Sequence, residues 1–132
     1  MRLISACLLV FVSAVTAERP PQQRSDADVV LTGIIEKIST RDVAFGGDGV
    51  NTTYTATVKI TKVTKGDLKV GDTVQVSWFH VTKSPTCPLP GAYGQDHKLA
   101  VKDEATFWLL GDKAPYTVLY NRDGVEKLPR PK

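Results

Sequence analysis

Cysteine is scarce in this chain: 132 residues hold two, Cys7 and Cys87, and Cys7 lies in a segment with the marks of an export signal. One remaining thiol excludes an internal disulfide framework, so a small exported domain must draw its stability from apolar burial and strand pairing. Long apolar runs are also missing. The run from Leu3 to Val15 is about 13 residues, short of the ~20 that a spanning helix needs, and no later segment is longer or more apolar. No membrane insertion is therefore expected. Helical periodicity, internal repeats and low-complexity tracts are absent as well. No catalytic motif is present, which predicts a protein that is not an enzyme.

The N-terminus has a definite pattern. Arg2 supplies a positive start, Leu3–Val15 carries no charge, and Val15-Thr16-Ala17 offers small residues where a signal peptidase cuts. Residues 1–17 thus read as a signal peptide, and the protein as secreted or periplasmic. Ile4-Ser5-Ala6-Cys7 mimics a lipoprotein box but leaves almost no apolar segment ahead of the cysteine. Removing Arg2 from the 17 basic residues leaves 16 against 14 acids, a net +2. That mild excess does not by itself call for a polyanionic partner.

Residues 18–26 (ERPPQQRSD) read as a flexible leader and residues 129–132 (PRPK) as a disordered tail, around a single β-barrel domain at 27–128. Inside the domain the period is close to two. Residues 27–39 form a long β-branched strand whose buried parity changes near Gly33, the mark of a bulge or sharp coil. Tyr54, Ala56, Val58 and Ile60 alternate with threonines and Lys59 in a second strand at 53–63. The glycine-bearing stretch Arg41–Thr52 reads as the flexible hairpin loop between them. Val74, Val76 and Trp78 mark a third strand, Ala105, Phe107 and Leu109 a fourth, Tyr116–Tyr120 a fifth, and Val125–Leu128 a short sixth. Residues 81–103 hold three prolines and two glycines and form one long irregular connection.

The fold class is all-β. A long coiled first strand, five to six strands in all and one long connection after the third suit an OB-type barrel. A small β-sandwich is the alternative, but an immunoglobulin-like one wants about seven strands. The residues Ala27-Asp28-Val29-Val30-Leu31-Thr32-Gly33, Tyr54 through Val63, Lys65-Gly66, Gly71-Asp72-Thr73-Val74 and Phe107-Trp108-Leu109 carry a family pattern. It resembles bacterial secreted domains related to the TIMP and netrin module, a variant of the OB-fold. The resemblance implies a secreted barrel that works by binding. It also implies several disulfides, for which only Cys87 remains. In that family's protease inhibitors an N-terminal cysteine and its free amine chelate the target's zinc. A chain starting at Glu18 has no residue for this.

Candidate site residues gather on the long connection. His80, Tyr93, Gln95 and His97 are the binding candidates, with Tyr93 expected to be exposed between Ala92 and Gly94. The partner would be a protein or small molecule in the cell envelope or outside it. His80, Cys87 and His97 are good zinc or copper ligands by type, but their spacing matches no metal motif, so the expectation is no cofactor, with a metal-binding protein as the alternative. Cys87 can be a buried small hydrophobe, a reactive thiol or an intermolecular partner. Lys59, Lys62, Lys65 and Lys69 read as a protected, solvated edge. Stacking aromatics are not interleaved among them, so no nucleic-acid binding is expected. Gly46-Gly47-Asp48-Gly49 lacks the carboxylates of a calcium loop and reads as a turn.

Overall fold

The computed structural model describes residues 21–87 and 93–130. The expected signal peptide lies outside them. Threonine-rich alternation carries the first two strands further than their apolar residues alone suggest. Strand β1 runs over Val29–Phe45 and β2 over Gly49–Lys65. Arg41–Thr52 is therefore not a loop, because only Gly46, Gly47 and Asp48 turn. The polar residues on either side, such as Asp42 and Thr52, are paired strand residues. Two consecutive glycines at φ 62° and 90° supply the left-handed backbone that so tight a reversal requires.

Strand β3 follows at Thr73–Lys83, β4 at Glu104–Leu110, β5 at Tyr116–Val118 and β6 at Val125–Lys127. Neighbours run β1-β2-β3-β5-β4-β6, and β1 also pairs with β4, which closes a ring of five strands. All pairings are antiparallel except β3 with β5, a parallel contact of Val76 with Tyr116 and Ser77 with Thr117. The result is a small all-β, barrel-like ring. Among the described residues no helix is long and apolar enough to cross a membrane.

One strand serves both sides of the closure. Val29–Ile34 pairs with β4 along one edge, while Val30–Phe45 pairs with β2 along the other. Register shifts fall between Val30 and Leu31, between Thr32 and Gly33, and between Ile35 and Lys37. The last shift leaves Glu36 unpaired, so Ile35 is inward before it and Ile38 packs against the core after it. The parity change of β1 therefore falls at Glu36, three positions past the expected Gly33. The shifts at Val30/Leu31 and Thr32/Gly33 skip residues of β2 and leave Val29, Leu31 and Ile35 all inward. A Cβ on Gly33 would lie 2.6 Å from the Lys59 carbonyl oxygen and inside the Val58 side chain. Glycine is needed there for close backbone approach.

The barrel interior holds Leu31, Ile35, Ala56, Val58, Ile60, Val76, Phe107 and Leu109, each at most 1% exposed. All the inward positions read from alternation in β2, β3 and β4 are in this set or beside it. Val30 belongs elsewhere. With Ala27 and Leu119 it forms a second buried cluster, against which Trp108 and Leu110 pack.

Pro21–Asp26 lies on that cluster. The Gln22 N–H donates to the Tyr120 carbonyl at 3.0 Å, the Tyr120 N–H donates back to Gln22 Oε1 at 2.8 Å, and the Arg24 guanidinium sits 3.6 Å from the centre of the Trp108 ring. Arg130 donates from Nη2 to buried Asp103 at 2.5 Å, and Lys127 pairs with the other oxygen at 3.2 Å. These bonds, with the Ala100 N–H, hold the Asp103 carboxyl at a pKa of about 2.

Candidate functional site

The long connection does not leave β3 cleanly. It returns antiparallel along the β3 edge that β5 occupies lower down. The Val81 N–H donates to the Tyr93 carbonyl at 2.8 Å, the Gln95 N–H to the Phe79 carbonyl at 3.0 Å, and His80 bridges Gly94. Gly94 has φ 74°, and a Cβ there would lie 2.6 Å from the Phe79 carbonyl carbon. Only glycine lets the segment come this close. At the start of the connection Pro85 is buried. Thr86 donates its N–H to Asp48 Oδ1 at 2.8 Å and its hydroxyl to Asp48 Oδ2, which holds the Asp48 carboxyl below its usual range. The connection is therefore tied at both ends, to the β1–β2 turn and to β3.

Each sequence-derived candidate can now be placed. Tyr93 is half-buried, with its ring edge-on to Phe45 at 5.4 Å and 75°, which corrects its expected exposure. The β1–β2 hairpin reaches far enough to meet it. His80 is half-buried on the inward side of β3, cross-strand from Thr52. Gln95 and His97 line a small cavity of about 20 Å³ with Trp78, Phe79, Leu119 and Tyr120. The His97 ring stands edge-on to Trp78 at 6.0 Å, and its Nε2 is buried with no hydrogen-bond partner. Burial is the main cause that pulls its pKa down to about 4, with Asp96 opposing and His80 adding to the shift. Cys87 is exposed and unpaired, so it is not a core residue.

The metal alternative needs His80, Cys87 and His97 to converge. Among the described residues no three His, Cys, Asp or Glu side chains do so. Cys87 follows the Thr86–Asp48 tie near the hairpin turn, whereas His97 is turned onto Trp78. Opposite ends of one connection do not make one coordination sphere.

Tyr54 was missed as a site residue. Its ring stacks on Trp78 at 5.4 Å and 6°, and burial raises its hydroxyl pKa, helped by Asp96 and then Asp42. The signal was available: Tyr54 is the aromatic member of the alternating row Tyr54, Ala56, Val58 and Ile60 in β2. A larger cleft, of about 620 Å³, opens at the far end of the barrel between Asp28, Gly66, Leu68, Asp112 and Tyr116. Asp28 there accepts the Gly111 N–H at 2.9 Å. Its walls come from turns rather than from the long connection, and sequence reading did not find it. Comparison with protein-family models, with curated proteins and with solved structures finds no match.

Proposed function

We propose that the protein is a non-catalytic binding module, exported from the cytoplasm, whose working surface is the segment from His80 to Lys102. The observation that carries this is the pinning of Tyr93-Gly94-Gln95 to β3 by two backbone hydrogen bonds. An irregular connection held at both ends is a fixed surface on a rigid scaffold, the usual arrangement for recognition loops. Export rests on the pattern at Met1–Ala17. The resemblance of the sequence to the TIMP and netrin module implies a function in binding.

The test must respect the ties. Pro85, Thr86 and Tyr93–Gln95 contribute to the fold, so the replaceable stretch is residues 87–92. Exchanging it for Gly/Ser should leave the far-UV spectrum unchanged, since loop closure depends weakly on sequence and length. Partner capture from the exported fraction of the source cells, with wild type as bait, should lose its specific band with this variant and weaken with Tyr93→Ala. Capture that survives both changes would remove the connection as the working surface.

A further inference from the structure

The return leg of the long connection is fixed at two places and bare of backbone ties between them. Upstream, the Val81 and Gln95 N–H groups fasten 93–95 to β3. Downstream, the Lys102 N–H donates to the Ile35 carbonyl at 2.7 Å, and the Ile35 N–H donates to the Asp103 carbonyl at 2.9 Å. Among the described residues, 96–99 make no backbone hydrogen bond to a strand. Two side chains hold them instead: the His97 ring stands on Trp78, and Leu99 packs against the core. The backbone gives no help, since Lys98 stands at φ 52°, a left-handed conformation that a lysine disfavours.

The His97 anchor works only while the ring is neutral. Its Nε2 is buried without a partner beside a cavity of about 20 Å³ walled by Trp78, Phe79, Leu119 and Tyr120. Gln95 and Thr117 are the other polar members of that wall, and neither carries a charge. A proton on the ring would leave a buried cation with no carboxylate to receive it. The charged and titratable groups around it do not remedy this. Asp96, its neighbour, favours the charged ring but is exposed, and its Oδ1 accepts the Lys98 N–H at 3.0 Å. His80 on β3 opposes the charge. Tyr54 on β2 stacks on the same Trp78, and Asp42 on β1 acts on the Tyr54 hydroxyl. Burial therefore prevails over Asp96.

We propose that His97 is an acid-sensitive catch: on gaining a proton it leaves Trp78, and residues 96–99 swing out between the fixed points at Gln95 and Lys102. This rests on the reading of the connection as the working surface and names its regulation. The surface is fixed at neutral pH and mobile in acid. The closed form takes a proton only near pH 4, whereas a released ring takes one at its ordinary 6.5. Between those values the open form binds more protons, so falling pH favours it. One proton is coupled, and the ratio of open to closed rises about tenfold for each pH unit lost in that window. The fixed points do not titrate with the catch. Those at 93–95 are backbone hydrogen bonds, and Asp103, with its carboxyl at about 2, keeps its charge throughout.

The test follows Trp78, which opening would expose to solvent. The chain has two tryptophans, so Trp108→Phe leaves Trp78 alone while keeping a ring beneath Arg24. In that background acrylamide quenching should rise as pH falls from 7 to 4, with the far-UV spectrum unchanged. Adding His97→Phe should keep quenching low over the whole range. Adding Gln95→Glu instead puts a carboxylate on the wall of the same cavity, where it can pair with the charged ring. The rise should then move to lower pH, a response that a ring acting only as filler would not give. Quenching that is flat in the parent, that rises equally in His97→Phe, or that Gln95→Glu leaves in place overturns the proposal. The readout needs no partner. Failure of the exchange at 87–92 would thus remove the working surface and not the catch, and flat quenching would remove the catch and not the surface.

Discussion

His97 is the residue whose chemistry is most altered by its surroundings. Its pKa of about 4 lies well below the ordinary 6.5 because burial disfavours the imidazolium. Between those two values the unfolded chain binds a proton that the folded chain does not. Stability attributable to His97 is therefore complete above about pH 6.5 and is lost as pH falls towards 4. The loss amounts to at most about 3 kcal/mol. Urea midpoints measured from pH 7 to pH 4 should fall in wild type. In His97→Phe, which keeps a ring against Trp78, that component should disappear. Identical pH profiles for the two proteins would mean that His97 titrates freely. None of this was legible in the sequence, where His97 is one of two histidines beside a cysteine. The fold turns the imidazole onto Trp78, and spacing along a connection says nothing about which way it folds back. Tyr93 was misjudged for the same reason, since Phe45 is 48 positions away and meets it only because the hairpin is long.

At the scale of elements the alternation was a good guide wherever one face of a strand meets the core and the other meets water. Val58, Ile60, Val76, Phe107 and Leu109 were assigned correctly on that basis. It failed in two kinds of place. Around Val29–Gly33 both faces are buried, because segment 21–27 covers the outer one, so no alternation could show. Between Asp42 and Thr52 three glycines interrupt the pattern and it resembles a loop, although the ladder continues on both sides of the turn at 46–48. Gly33 was recognised as a bend, and the structure gives it a cost. Gly33→Ala would push a methyl group against the Lys59 carbonyl and the Val58 side chain, at the joint where β1 is shared by β2 and β4. Overpacking of this kind costs roughly 1–3 kcal/mol. Thermal melts should show the loss, while Thr57→Ala on the outward face should change little. A neutral Gly33→Ala would mean that the bulge has slack.

For the molecule as a whole, the described segments that flank the strands are parts of the body. The segment at 21–26 and Arg130, through its pairing with Asp103, are both fastened to the barrel. Composition gave no hint of either. A polar, proline-bearing segment has nothing of its own to bury, but it can still cover Val30, Leu119 and Trp108. A variant starting at Ala27 should lose roughly 2 kcal/mol, or about 10 °C in Tm, through the cation–π contact and the hydrogen bonds to Tyr120 and Asn121. Its tryptophan emission should shift to the red as Trp108 gains water. An unchanged melting temperature would show that the segment rests on the barrel without supporting it.

The ring is narrowest at β5. This strand meets β3 over two residue pairs, in parallel, and β4 over two more, antiparallel. So short a strand gains little pairing to offset the cost of ordering the chain that leads to it, so it docks late. Until it does, the nascent protein is an open curled sheet, with the β3 and β4 edges unpaired for the length of β5. Open edges recruit strands from other chains. The interval before closure is thus the period of greatest aggregation risk, and conditions that delay docking of Tyr116–Val118 would lengthen it.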